Sequence, residues 1–177
     1  MSDHPLPPLR RKTMRYPDAN YSDAGIYFIT ICTQDSILLF GKIINGEMVT
    51  NSFGGIVWEV WKTLPKRFPQ ISIDTAIVMP NHFHGIIVIH EDRVNFDDEA
   101  ARVFPTSREE RRKMTLPIVV GYFKMNAAKR INQLRGNEGS RVWQRNYYDR
   151  IIKDDKDYDE LSEYIFTNPQ RWGIEID

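Results

Sequence analysis

Ile71-Ser-Ile-Asp-Thr-Ala-Ile-Val-Met-Pro-Asn-His-Phe-His-Gly-Ile-Ile-Val-Ile-His90 is the stretch that decides the fold. It consists of two apolar, β-branched runs, 71–79 and 82–90, separated by Pro80-Asn81. Runs of this composition form strands and Pro-Asn forms a tight turn, so the two strands pair antiparallel. Side chains alternate across a strand, which puts His82 and His84 on one face, roughly 6–7 Å apart at their Cβ atoms. Two imidazoles so placed suit one divalent cation. Kept in a core for packing alone, each would still need its ring nitrogens satisfied. His90 shares the face by parity but lies roughly 20 Å beyond His84, and reads as a strand-end residue.

Working outward, Gly25–Thr33 is dense in β-branched and aromatic residues and reads as a central strand. Asn45-Gly46 splits residues 36–52 into two short strands joined by a hairpin turn. Ile56, Val57, Val60, Trp61 and Leu64 recur at helical spacing over 53–67, with Pro65 near the end. Val119, Val120, Phe123, Ala127, Ile131 and Leu134 trace a second helix over 116–134 that carries Lys124, Lys129 and Arg130 on its other side. Residues 141–150 are a compact basic and aromatic segment, and a last helix over 156–167 is expected to stop at Asn168-Pro169. The order βββ–α–β–β–α–α predicts an α+β fold, a ferredoxin-like, mainly antiparallel sheet with helices packed on one side. Residues 1–22 form a Pro-rich arm with Arg10, Arg11, Lys12 and Arg15, ahead of one domain over 23–177 that contains a charged loop at about 91–114.

Composition narrows the function. With 177 residues the chain can bury a real core, and its single cysteine, Cys32, excludes a disulfide framework and a multi-cysteine zinc site. No apolar run reaches the 18 residues of a membrane span, and the start has no apolar signal region. Net charge is zero, yet residues 102–150 hold twelve Lys/Arg against four Asp/Glu, and the rest hold twelve against twenty. Such segregation matters because phosphate binding depends on a local basic patch.

Two ligands do not complete a metal site. The final helix offers Tyr164 and Asn168, four residues apart on one face, with Glu160 one turn earlier. On spacing alone the plainer readings prevail: Tyr164 as a core aromatic with its hydroxyl at the surface, Asn168 as a helix end before proline.

Met79-Pro-Asn-His-Phe-His-Gly-Ile-Ile resembles the His-hydrophobic-His motif of the single-tyrosine HUH transposases. Val142-Trp-Gln-Arg-Asn-Tyr-Tyr-Asp-Arg-Ile-Ile-Lys-Asp, followed by Tyr164-Ile-Phe-Thr-Asn168-Pro169, resembles the C-terminal signature of one branch, the REP-associated tyrosine transposases. The likeness spans roughly residues 24–173. It implies an HUH endonuclease-like fold, His82, His84 and Asn168 as metal ligands, and Tyr164 as nucleophile. The implied activity is a metal-dependent single-stranded DNA nickase and strand transferase, working through a 5′-phosphotyrosine at hairpin or palindromic sequences. It also implies a cytoplasmic, nucleoid-associated setting in a prokaryote, no membrane partner, and in some members a homodimer. The chain departs from the pattern in its neutral charge and in the acidic insert Glu91–Glu99.

Two imidazoles favour Mn²⁺ over Mg²⁺ in affinity, so either ion is the expected cofactor. Ligation requires neutral imidazoles, hence an activity loss expected below about pH 6. DNA contacts are expected from Lys124, Lys129, Arg130, Arg141 and Arg145, from Trp143, Gln144, Tyr147 and Tyr148 as stacking and reading groups, and from Arg10 and Arg11 on the arm. The residues alone leave two alternatives. One is a catalytically silent nucleic-acid-binding module. The other is a histidine-nucleophile phosphohydrolase, against which Ile86 stands where a third histidine of a His-x-His-x-His run would be.

Overall fold

A computed structural model describes residues 24–90 and 114–172. The arm with Arg10, Arg11, Lys12 and Arg15, and the charged segment at 91–113, lie outside the described residues. Among the described residues six strands form: β1 (Gly25–Cys32), β2 (Gly41–Ile44), β3 (Glu47–Thr50), β4 (Ile71–Val78), β5 (His82–Ile89) and β6 (Tyr148–Ile152). Three α-helices join them: α1 (Ser52–Arg67), α2 (Thr115–Arg135) and α3 (Asp155–Arg171).

The main sheet has the order β4-β5-β1-β6, and each neighbouring pair is antiparallel. β1-α1-β4-β5-α2-β6 is therefore the split β-α-β of a ferredoxin-like fold, as expected. β2 and β3 form a separate hairpin whose turn has positive φ at both Asn45 (53°) and Gly46 (78°), the type I′ geometry that Asn-Gly favours. Asn51 starts α1 by accepting hydrogen bonds from the Phe53 and Gly54 amides at 2.9 and 3.0 Å. Gly136 ends α2 in the left-handed region at φ 63°.

Alternation along the strands builds two cores. Tyr27, Ile29 and Ile31 of β1, with Phe83, Ile87 and Ile89 of β5, pack against Val57, Val60, Trp61 and Leu64 of α1 and Val119, Phe123, Ala127 and Ile131 of α2. The opposite parity supplies Phe28 and Ile86, which with Ile152 pack against Leu161 and Ile165 of α3. The expected one-sided arrangement is thus corrected: α1 and α2 cover one face, and α3 covers the face that carries His82 and His84. A helix added after the last strand finds the first face already filled and must bury its apolar stripe on the other.

Three further expectations change. The 141–150 segment runs into a strand, β6, that pairs with β1 from Ile26↔Ile152 to Thr30↔Tyr148. Asp149 and Arg150 break its apolar pattern, so pairing rather than propensity makes it a strand. α3 does not stop at Asn168-Pro169 but runs to Arg171. Pro169 lacks one N–H in the final turn, where the loss of a single backbone bond is tolerated, and the Trp172 amide still reaches the Pro169 carbonyl at 3.3 Å. Leu134 is exposed rather than part of the α2 core stripe, which ends at Ile131 and Asn132.

Candidate active site

β5 and β1 are the interior strands, so the register fixes what faces the histidines. His84 lies between Ile77 on β4 and Thr30 on β1, and Thr30 in turn pairs with Tyr148 on β6. His82 stands opposite Cys32. The two imidazole centroids are 4.5 Å apart at 72°. Phe28 stacks on His84 at 5.2 Å, and the Tyr164 ring meets His84 edge-on at 5.3 Å. Asn168, one turn beyond Tyr164, is buried and hydrogen-bonds His82. Three separate stretches of sequence thus converge on one point.

Each imidazole is oriented through Nδ1. His82 Nδ1 lies 2.7 Å from Asn81 Oδ1, and His84 Nδ1 lies 2.8 Å from Thr30 Oγ1. With the proton on Nδ1, both rings keep a lone pair on Nε2. His84 Nε2 is buried and has no hydrogen-bond partner. Such an orphan is costly in a native core unless something else engages it. Burial pushes the His82 pKa down to about 4, opposed by the Asn168 hydrogen bond. Burial, then the neighbouring His82, push His84 well below the usual histidine range, and a hydrogen bond to the Ile29 backbone opposes them. Both rings are therefore neutral, and free to ligate, below pH 6, so an activity limb set by their protonation would lie lower than an ordinary histidine implies.

No cluster of three or more His, Cys, Asp or Glu that could hold a metal occurs among the described residues. Were the histidines to hold an ion, a third protein ligand there would be an amide or a phenol, and Asn168 is the side chain that hydrogen-bonds His82. Glu160 does not serve: it is exposed and pairs with Lys156 at 3.8 Å. His90 is exposed at the strand end, as expected.

α3 is tied to both edge strands. Arg150 of β6 donates to Asp157 at 2.6 Å, and the Tyr158 hydroxyl donates to Asp74 of β4 at 2.8 Å. Tyr158→Phe is expected to lower stability by about 1 kcal/mol in urea unfolding, because the Asp74 bond is partly solvated.

The basic and aromatic residues divide. Trp143 and Tyr147 are buried in the main core, Trp143 between Phe40 (5.0 Å) and Phe123 (6.0 Å), so neither is an open stacking surface. The Lys124 ammonium donates to the carbonyls of Gln144, Arg145 and Asn146 at 2.8, 3.1 and 3.3 Å, which makes it a loop anchor. Lys129 and Arg130 are exposed on α2, across the sheet from the histidines, and Arg130 pairs with Glu59. Arg141 and Arg145 are exposed, and Gln144 is half-buried, its backbone N–H donating to the Cys32 carbonyl. Residues missed from sequence are Thr30 and Asn81, which orient the rings, and the last turn of α3. There Trp172 lies 6.0 Å from His82, and the Arg171 guanidinium lies 6.0 Å from the Tyr164 ring. Asn81 was legible beside His82, whereas Thr30 needed the register.

No protein-family model matches the chain. A Haemophilus influenzae protein of uncharacterised function is 38% identical over 163 residues, 92% of this chain and 89% of its own length. A second protein of that organism, named provisionally as a REP-associated tyrosine transposase, is 27% identical over 154 residues, 87% of this chain and 75% of its own. The chain is thus similar in sequence to a protein that carries the name of the REP-associated tyrosine transposases. The solved structure of a REP-associated tyrosine transposase bound to a REP hairpin has the same fold, at a TM-score of 0.53 and 17% identity, across 98% of this chain and 75% of that one. Among the described residues no helix is long and apolar enough to cross a membrane.

Proposed function

We propose that this protein is a REP-associated tyrosine transposase that nicks and rejoins single-stranded DNA at hairpin or palindromic sequences, with Tyr164 as nucleophile and His82, His84 and Asn168 holding a Mg²⁺ or Mn²⁺ ion. The observation that carries the reading is the buried, unpartnered Nε2 of His84 beside the Tyr164 ring. The residues fit such an ion: two neutral imidazoles with Nδ1 engaged, and one side-chain amide against His82. When bound, a divalent cation supplies positive charge to a non-bridging phosphate oxygen. The REP hairpin held by the solved relative supports a hairpin substrate.

The chain's own residues account for the rest. Phe28 and His84 pack against the Tyr164 ring and limit its rotation. The Tyr164 oxygen attacks phosphorus, an O–P bond forms, and the bond from phosphorus to the 3′ oxygen breaks. The phenol proton leaves to solvent, and the departing 3′ oxygen takes one up. A 5′-phosphotyrosine and a free 3′-OH result. Because the new bond is still a phosphodiester, a second 3′-OH can reverse the step and join strands without a nucleotide cofactor.

Incubation with single-stranded hairpin oligonucleotides and Mn²⁺, read on a denaturing gel, tests this. A protein–DNA adduct is expected that disappears with chelator and with Tyr164→Phe. Adduct from Tyr164→Phe, or none from the wild type across a hairpin panel, refutes the assignment. Nucleotide turnover by Tyr164→Phe would instead point to a histidine nucleophile.

A further inference from the structure

We infer that Arg171 grips the scissile phosphate, a role that rests on the strand-transfer reading above. Residues 164 and 171 are two helical turns apart and share a face of α3. The Arg171 guanidinium carbon lies 6.0 Å from the Tyr164 ring centroid.

The charge around it is informative. α3 is acidic, with Asp155, Asp157, Asp159, Glu160 and Glu163 against Lys156 and Arg171. Lys156 pairs with Glu160, Arg150 with Asp157 and Arg130 with Glu59. Among the described residues no carboxylate pairs with Arg171, although acidic side chains abound on its own helix. The described groups gathered at the site are two imidazoles, the Asn168 amide, the Tyr164 phenol, the Trp172 indole and Cys32, which stands opposite His82. A phosphodiester brought to Tyr164 carries one negative charge, and Arg171 is the cation beside that ring. A guanidinium presents donors in a fixed fork that matches two phosphate oxygens, which an ammonium cannot do.

A residue in the last turn could instead serve only the helix, by facing its terminal carbonyls. A charge-neutral substrate separates the two roles. Hairpin oligonucleotides are prepared with methylphosphonate at one phosphate at a time, which removes a single negative charge. Adduct formation and fluorescence-anisotropy binding are then measured for wild type, Arg171→Lys and Arg171→Ala. With normal DNA, Arg171→Ala is expected to form adduct about 100-fold more slowly, with Arg171→Lys between. With methylphosphonate at the scissile position, wild type and Arg171→Ala should differ by less than about threefold, because the partner charge is gone. Equal losses on both substrates, or an Arg171→Lys variant as impaired as Arg171→Ala on normal DNA, overturn the assignment in favour of a structural role. Should the wild type bind hairpins without forming adduct, the nucleophile reading fails and Arg171 is judged on binding alone. An affinity loss in Arg171→Ala that vanishes at one neutralised phosphate then sustains it, and a loss at every position alike overturns it.

Discussion

His84→Leu is expected to abolish the proposed strand cleavage, a loss on the order of 10³-fold, while leaving the metal-free protein folded. The two halves of this result have one cause. His84 is buried, with Nδ1 on Thr30 Oγ1 and Nε2 without a partner. That nitrogen contributes nothing to the metal-free fold, and desolvating it costs stability. Leucine removes this penalty and adds apolar contact beside Phe28 and Ile86, but leaves the Thr30 hydroxyl without its partner. The two effects nearly cancel, so stability at pH 8 should change by less than about 1 kcal/mol.

Acid separates the variants. Both histidines have folded pKa values below 6.5, His82 at about 4. Between those values the unfolded chain binds protons that the folded chain does not, so stability is full above pH 6.5 and falls as pH drops. For His82 the fall is about 3 kcal/mol by pH 4, and His84 adds to it in the same direction. His84→Leu removes the second contribution and should outlast the wild type at pH 5 in urea unfolding with chelator present. A variant that unfolds at pH 8, or that loses stability in acid as steeply as the wild type, would show that His84 is a structural residue. This is also how a binding site announces itself without its ligand, through a polar group whose cost only the missing partner explains.

How much of this was legible beforehand follows from what each element depends on. The strand-turn-strand at 71–90 and the Asn45-Gly46 hairpin are specified locally, by composition and turn chemistry, and both form. The histidine pair shares a face because a period of 2 admits no other outcome. β6 escaped notice since Asp149 and Arg150 carry no strand signal, and only its pairing to β1 orders it. The side of the sheet that α3 covers depends on where α1 and α2 have already packed, which no local pattern encodes. Trp143 looked like a DNA-stacking residue for a similar reason. Its neighbours Arg141 and Arg145 are exposed while its own ring fills a gap between Phe40 and Phe123, residues far apart in sequence. Tyr164 and Asn168 were ambiguous by spacing, and the structure brings both to the histidines because α3 packs on the face of the sheet that carries them.

Gly85 and Trp61 should behave as one unit. Trp61 is essentially buried and packs on Phe83 at 4.8 Å and Phe123 at 5.6 Å. Its indole also lies against the bare backbone of Gly85. A Cβ there would meet Trp61 Cζ2 at 2.8 Å, Trp61 Cη2 at 2.9 Å and Phe83 Cε1 at 2.9 Å. Trp61→Ala should cost about 3–5 kcal/mol by opening a cavity between α1 and the sheet. Gly85→Ala should cost about 1–3 kcal/mol by overpacking the same spot. In a Trp61→Phe background the smaller ring leaves room for the new methyl, so the Gly85→Ala penalty should shrink by about 1 kcal/mol or more in a double-mutant cycle. Additive penalties would mean that the indole does not set the glycine. The effect should reach catalysis as well, because Gly85 follows His84 directly on β5 and any shift of that backbone displaces the imidazole relative to Tyr164. Gly85→Ala should therefore slow adduct formation about tenfold or more even under conditions where it is fully folded. The glycine after the second histidine is thus a packing requirement imposed from the opposite face of the sheet, by a tryptophan that touches neither substrate nor metal.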